Sequence, residues 1–351
     1  MNEEPLFLTN LWYVAGLSAS LKLGAMRREM LCGEPVLLGR TKEGAAFALR
    51  DICPHRAAPL SAGRIREGTV ECPYHGWRFR PEGQCAFIPS LLQDQELNIS
   101  GIKVRSYPVR EQDGLIWVYF AADAKADTPA ILDPPRIPIA AADGQAVPRF
   151  VEAQLFPCEV DHAVVGLMDP AHGPFVHNVW WWRHSSSIHA KKKHHAPSER
   201  GFVMVTHKPS SNSLFYKILG GDLTTEIRFE LPSLRFEHIR AGKREVLGFT
   251  AVTPQDAHRT LVTQVFYWTS PWFNFIKPFL RPFARAFLGQ DRKIVELQNE
   301  GLKFSPPQML IQDADVPAIW YHRLKKAWAE SVKTGQPFMN PVQERTLRWR
   351  S

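Results

Sequence analysis

The sequence predicts an α+β protein: a small all-β domain, followed by an α+β domain built on an antiparallel sheet. Three observations predict it. From Leu8 to about Phe120 the chain consists of short strand-like runs broken by Gly, Pro and Asn. From 201 to 270 several alternating runs follow one another. Beyond Asp315 the apolar spacing changes to that of a helix.

The strand-like runs of the first part include 34–39 (EPVLLG), 45–49 and 114–120 (GLIWVYF). Residues 121–148 are rich in Ala, Asp and Pro with few large apolar side chains, the composition of a connection. The expected division is a first domain over 1–125, a linker over 126–148 and a second domain over 149–351. Residues 149–158 alternate like a strand and 159–169 carry helical periodicity. Thr225–Leu231 places Ile227, Phe229 and Leu231 on one face, and Glu245–Thr253 and Thr260–Thr269 behave alike. Such alternation suits antiparallel strands with one packed face. In the tail, Asp315 before Val316-Pro317 starts a helix, Ile319, Trp320, Leu324 and Trp328 share one stripe, and Gly335 stops it.

Composition bounds the function. The chain has 351 residues, 44% apolar and 22% charged, an ordinary globular balance able to bury a core without disulfides. Five scattered cysteines are too few for a disulfide framework and point to metal binding in a reducing compartment. The start, Met-Asn-Glu-Glu, lacks the pattern of a secretory signal, and no apolar run is long enough to span a bilayer. The expectation is a cytoplasmic protein without an integral membrane segment. The net charge of +8 is spread along the chain, and only Lys191–Lys192–Lys193–His194–His195 forms a basic run. That excludes nucleic acid as the expected partner.

Two constellations carry chemistry. Residues 53–56 read Cys-Pro-His-Arg and 72–77 read Cys-Pro-Tyr-His-Gly-Trp. Each turn supplies one thiolate and one imidazole, whereas a structural zinc finger pairs like ligands within one turn. Two such loops suit an asymmetric [2Fe–2S] centre, with Cys53 and Cys72 on one iron and His55 and His75 on the other. A zinc site with the same four residues is the alternative. Cys32, Cys85 and Cys158 fall outside the pattern and are expected to be small buried hydrophobes. Stretch 51–90 resembles the Rieske domain of the ring-hydroxylating oxygenases.

The second constellation is Asp169, His172 and His177, in D-x-x-H-x-x-x-x-H. An iron(II) that activates O2 needs two imidazoles and one carboxylate on one face. Five residues apart, the two histidines diverge on a straight helix, so a sharp turn at Gly173-Pro174 is required. The carboxylate is Asp169 itself or a later residue. The leading later candidate is Asp291, placed before a helix-like run ending near Gln298, with Glu296 as the alternative.

This arrangement resembles the catalytic domain of the vanillate, dicamba and carbazole group of Rieske oxygenases. The resemblance implies a helix-grip, START-like domain in which His172, His177 and Asp291 bind a mononuclear Fe(II). It implies that Asp169 hydrogen-bonds the cluster-ligating His75 of a neighbouring subunit, hence a homo-oligomer, expected to be a homotrimer. Electrons then come from a separate reductase or ferredoxin, and O2 reacts with a small apolar substrate. The implied reaction is monohydroxylation or oxidative dealkylation, with cis-dihydroxylation as one alternative and a Rieske electron carrier without its own catalysis as another. Gly166 departs from the group, which carries Asn three residues before the bridging Asp.

Four further features are weighed on composition alone. Asp161 and His162 are expected to be ordinary polar residues. Trp180, Trp181 and Trp182 line either a cavity or a subunit interface, or simply pack. Residues 184–200 read as an exposed polar loop, or alternatively a lid. In 271–289, Pro278 and Pro282 argue against a long amphipathic helix; packing is expected there, with a membrane-facing surface as the alternative.

Overall fold

In a computed structural model of the chain, the structure describes residues 6–123, 130, 132–139, 144–179, 188–209 and 222–351. Two compact units emerge, one over Thr9–Arg136 and one over Ile137–Ser351 together with the few described residues before Thr9.

The first unit is all β. Its strands are β1 (Leu11–Leu17), β2 (Met26–Leu31), β3 (Glu34–Arg40), β4 (Ala46–Arg50), β5 (Arg64–Arg66), β6 (Thr69–Glu71), β7 (Arg78–Phe79), β8 (Cys85–Phe87), β9 (Ser106–Tyr107), β10 (Val109–Gln112) and β11 (Leu115–Phe120). They form three antiparallel sheets in the orders β1-β11-β10, β2-β3-β4-β9 and β5-β6-β7-β8. The apolar run Leu115–Phe120 does not alternate because the side chains of β11, the central strand of its sheet, are buried on both faces. Trp117 there is fully buried, and its truncation to Ala costs about 3–5 kcal/mol. The small β5–β8 sheet exists to carry loops: its core holds Val70, Phe79, Ile88 and the cysteines Cys53, Cys72 and Cys85.

The second unit is α+β, as expected. Its elements are β12 (Phe150–Phe156), α1 (Val160–Met168), α2 (Gly173–Val176), β13 (Ala190–Ser198), β14 (Gly201–His207), β15 (Leu223–Glu230), β16 (Leu234–Ala241), β17 (Arg244–Asp256), β18 (Arg259–Trp268), α3 (Phe273–Leu302), α4 (Val316–Thr334) and β19 (Arg345–Arg350). The strands make one antiparallel sheet in the order β12-β18-β17-β16-β15-β14-β13-β19. Helix α3 packs Phe273, Ile276, Leu280 and Ala284 against Phe150, Ile239, Val246 and Trp268 of the sheet. Helix α4 begins after Asp315 with Pro317 in its first turn, and Gly335 ends it at φ +72°, a left-handed cap that favours glycine.

Two expectations are corrected. Residues 273–302 form one helix of 30 residues despite Pro278 and Pro282. Both prolines and Asn274 face solvent, so the carbonyls they leave unbonded, those of Asn274 and Pro278, lie on the water side of the helix. Residues 190–198 are not a loop but strand β13, paired on both edges with β14 and β19. Its inward residues are Lys191, Lys193 and His195, and its outward ones Ala190, Lys192 and His194. The inward face is built from lysine stems, so an apolar count misses the strand. Trp180, Trp181, Trp182 and residues 184–187 lie outside the described residues.

Candidate metal centres

The first unit brings Cys53, His55, Cys72 and His75 onto two loops of the same build. One lies between β4 and β5, the other between β6 and β7. In the first, the Cys53 N–H donates to Ala58 O at 2.9 Å and the Ala57 N–H to Cys53 O at 2.9 Å. In the second, the Cys72 N–H donates to Trp77 O at 2.8 Å and the Gly76 N–H to Cys72 O at 3.1 Å. In each loop the residue four after the cysteine is left-handed, Ala57 at φ +58° and Gly76 at +70°. At Gly76 a Cβ would also stand 3.0 Å from Pro89. Asp51, 1% exposed, anchors the first loop by accepting from the Ser61 N–H at 2.7 Å and the Ser61 hydroxyl at 2.6 Å.

The two thiols are buried and the two imidazoles lie 4.6 Å apart between ring centres. Trp77 stacks on His55 at 4.5 Å with 8° between planes. Nδ1 of His55 is buried with no hydrogen-bond partner among the described residues. A buried ring nitrogen left without a proton partner is what a metal ligand looks like before its metal. Burial, with the Cys72 thiol beside it, pushes the Cys53 thiol up to about 11. It therefore ionises only against a cation, and metal insertion must release its proton. The donor set fits a Rieske cluster. Cys85 and Cys158 are buried as expected, and burial pushes the Cys158 thiol up to about 12.

The second unit brings His172, His177 and Asp291 together. Helix α1 ends at Asp169, whose side chain accepts the Ala171 N–H at 2.7 Å and so turns the chain. The single turn α2 follows, with Pro174 at its start, and carries the chain from His172 to His177. This is the turn that Gly173-Pro174 predicts. Asp291 does not precede a helix, as expected from sequence, but sits within α3. The reason is the continuity of α3 through its prolines.

Nε2 of His172 lies 3.2 Å from Nε2 of His177, and Asp291 Oδ1 lies 3.2 Å from His177 Nε2 and 3.8 Å from His172 Nε2. Adjacent ligands on an octahedral ion with bonds of about 2.1 Å are about 3 Å apart, so this triangle matches one face. The outer nitrogens fix the tautomers. His172 Nδ1 donates to the Asp169 carbonyl at 2.8 Å and His177 Nδ1 to Gln290 Oε1 at 2.9 Å, leaving both Nε2 lone pairs aimed at the triangle. Burial holds His172 below the usual imidazole range, against the opposing pull of Asp169 and Asp291, so the ring is neutral as a ligand must be. His177 is 2% exposed and stacks on Phe287 at 3.7 Å with 13° between planes.

Asp169 is not part of the triangle; its Oδ2 lies 3.7 Å from His172 Nδ1, on the far side of that ring, and its side chain is 30% exposed. Glu296 is turned away, paired with Arg292 at 2.9 Å. Sequence reasoning missed Gln290, Phe287 and Trp77; for Gln290 the available signal was its place beside Asp291. Asp161 stands outside both centres, an ordinary polar residue as expected: it accepts from the Tyr321 hydroxyl at 2.7 Å and from Lys325 Nζ at 2.6 Å, tying α1 to α4. Lys325 is 3% exposed, so losing its partner costs about 3–5 kcal/mol.

A β unit with two Cys/His loops and a sheet unit with a two-histidine, one-carboxylate triangle define a class: an iron–sulfur protein with a second metal centre. Two family models match within it. The Rieske [2Fe-2S] domain matches residues 11–108, and the vanillate O-demethylase oxygenase C-terminal domain matches 160–331. The chain carries both domains of the Rieske oxygenase alpha subunits, in the same order. It is 37% identical over 174 residues to the oxygenase component of dicamba O-demethylase from Stenotrophomonas maltophilia, covering 49% of this chain and 48% of that protein. It is 27% identical over 359 residues to the chloroplastic chlorophyllide a oxygenase of Chlamydomonas reinhardtii, covering 95% of this chain and 51% of that protein. The chain thus spans about half the length of these relatives. A crystal structure of dicamba monooxygenase bound to dicamba shares the fold, with a TM-score of 0.69 at 24% identity over 94% of this chain and 98% of that one.

Proposed function

We propose that the chain is the terminal oxygenase of a Rieske system. It performs O2-dependent monohydroxylation or oxidative dealkylation of a bulky apolar, aromatic or polycyclic substrate. The observation that carries this reading is the convergence of His172 Nε2, His177 Nε2 and Asp291 Oδ1 on one side of a small space. An electron carrier has no use for such a triangle.

In this reading Cys53, Cys72, His55 and His75 hold the cluster, and His172, His177 and Asp291 hold Fe(II). Bound there, an iron would supply O2 activation. Gln290 and the Asp169 carbonyl hold the imidazole protons on the outer nitrogens. Phe287 shields His177 from water. Asp169 is the carboxylate that meets His75 of a neighbouring subunit in a homotrimer; its 30% exposure leaves it accessible for that contact. Reducing equivalents come from a separate reductase or ferredoxin in the cytoplasm. No described helix is long and apolar enough to cross a membrane.

The test is O2 uptake by the purified, iron-loaded chain with a surrogate reductase, screened against aromatic ethers, N-methyl compounds and polycyclic lipids. Uptake matched by hydroxylated or dealkylated product supports the reading. Rapid reduction of the cluster with no uptake on any substrate, in a protein holding only about two irons per chain, would establish the carrier instead.

A further inference from the structure

Helix α3 is packed on one side only. Its row Phe273, Ile276, Leu280 and Ala284 lies on the sheet. Away from that row, Trp272, Phe275 and Phe279 are 52%, 78% and 69% exposed. Phe275 and Phe279 are one helical turn apart and form a stripe. A second stripe at the same spacing consists of the exposed cations Lys277, Arg281 and Arg285. Arg281 approaches Glu152 at 3.9 Å, too far for a strong pair. Between Asp256 and Asp291 the sequence contains no acidic residue. The exposed aromatics lie on one flank of the outward Pro278–Pro282 row and the basic residues on the other, and neither is explained by the core or by the metal centre.

We infer that this face of α3 docks the protein on an anionic lipid surface. A bilayer interface offers both things the face needs within one thickness: acyl chain for the aromatic stripe and anionic headgroups for the lysine and arginine heads. A two-fold contact with a second copy would bring the same three cations face to face, which repels. An acidic protein would match the cations but offers no apolar counterpart to the aromatics by virtue of its charge. The helix lies in the interface rather than across it, since its inner row is committed to the sheet. Eight residues, or about 12 Å along the axis, separate Phe283 from Asp291. Docking therefore sets the proposed iron site close above the membrane plane, where an apolar substrate concentrates.

The experiment is sedimentation of the purified, cluster-containing chain with vesicles of equal parts phosphatidylglycerol and phosphatidylcholine, alongside vesicles of phosphatidylcholine alone. The wild type is expected to sediment with the anionic vesicles and to be released by salt. Joint Phe275→Ser and Phe279→Ser substitution weakens binding more than about tenfold. Joint Lys277→Gln and Arg285→Gln substitution weakens it about 30-fold. The cluster spectrum of both variants stays that of the wild type. The inference is overturned if the wild type stays in the supernatant, or if both variants sediment as it does. It is also overturned if either variant lowers the lipid-free mass by light scattering, because the face is then a subunit contact.

Discussion

Gln290 Oε1 accepts the Nδ1 proton of His177 at 2.9 Å, while the next residue, Asp291, places Oδ1 3.2 Å from Nε2 of the same ring. Two consecutive residues of one helix thus hold opposite ends of one imidazole. The orienting group and the carboxylate ligand cannot move independently.

Gln290→Leu removes the acceptor and leaves the ring free to take the other tautomer. Affinity for the mononuclear iron is expected to fall about 10–100-fold. Iron(II) titration of the iron-depleted second site measures this, with the cluster spectrum as an internal control. Unchanged affinity would show that Phe287 stacking alone sets the ring.

Cys72→Ser replaces a buried sulfur of the first centre, and the visible spectrum of the cluster is expected to disappear. His55→Ala acts on the same centre through the orphaned Nδ1. A variant at either position with the wild-type spectrum would contradict the ligand assignment.

Asp169→Asn keeps the shape of the side chain and the bond to the Ala171 N–H but removes the charge. Both metal centres are expected to stay loaded, and turnover to fall by several orders of magnitude. Normal turnover in coupled O2 uptake would remove Asp169 from electron transfer.

Burial holds His195 down to about 4, opposed by a hydrogen bond to the Lys193 carbonyl at 3.2 Å and assisted by His207 and His194. Its folded pKa lies below its unfolded value of 6.5, so the unfolded chain binds the proton first. Stability is therefore full above about pH 6.5 and is lost as pH falls toward 4, by about 3 kcal/mol for this residue. Burial lowers His207 and His238 too, which adds to the slope in the same direction. Urea midpoints between pH 7 and pH 4 read this out, and His195→Leu is expected to flatten the curve by about one proton.

Most of the first centre is legible in the sequence because each loop carries its ligands within four residues and its turn residues beside them. The histidines of the second centre are legible for the same reason, with Gly173-Pro174 between them. The setting of Asp291 is not, because Pro278 and Pro282 signal a broken helix while solvent exposure lets α3 continue. Strand β13 is hidden because its inward face is made of lysine stems. The partners of Asp161 are hidden because Tyr321 and Lys325 lie on a helix distant in sequence, whose stripe shows only apolar packing.

The most direct test of the central claim is iron content in paired preparations of the wild type and Asp291→Ala. The account predicts about three irons per chain in the wild type and about two in the variant, with an unchanged cluster spectrum. Three irons retained in Asp291→Ala, or only two in the wild type, would contradict it.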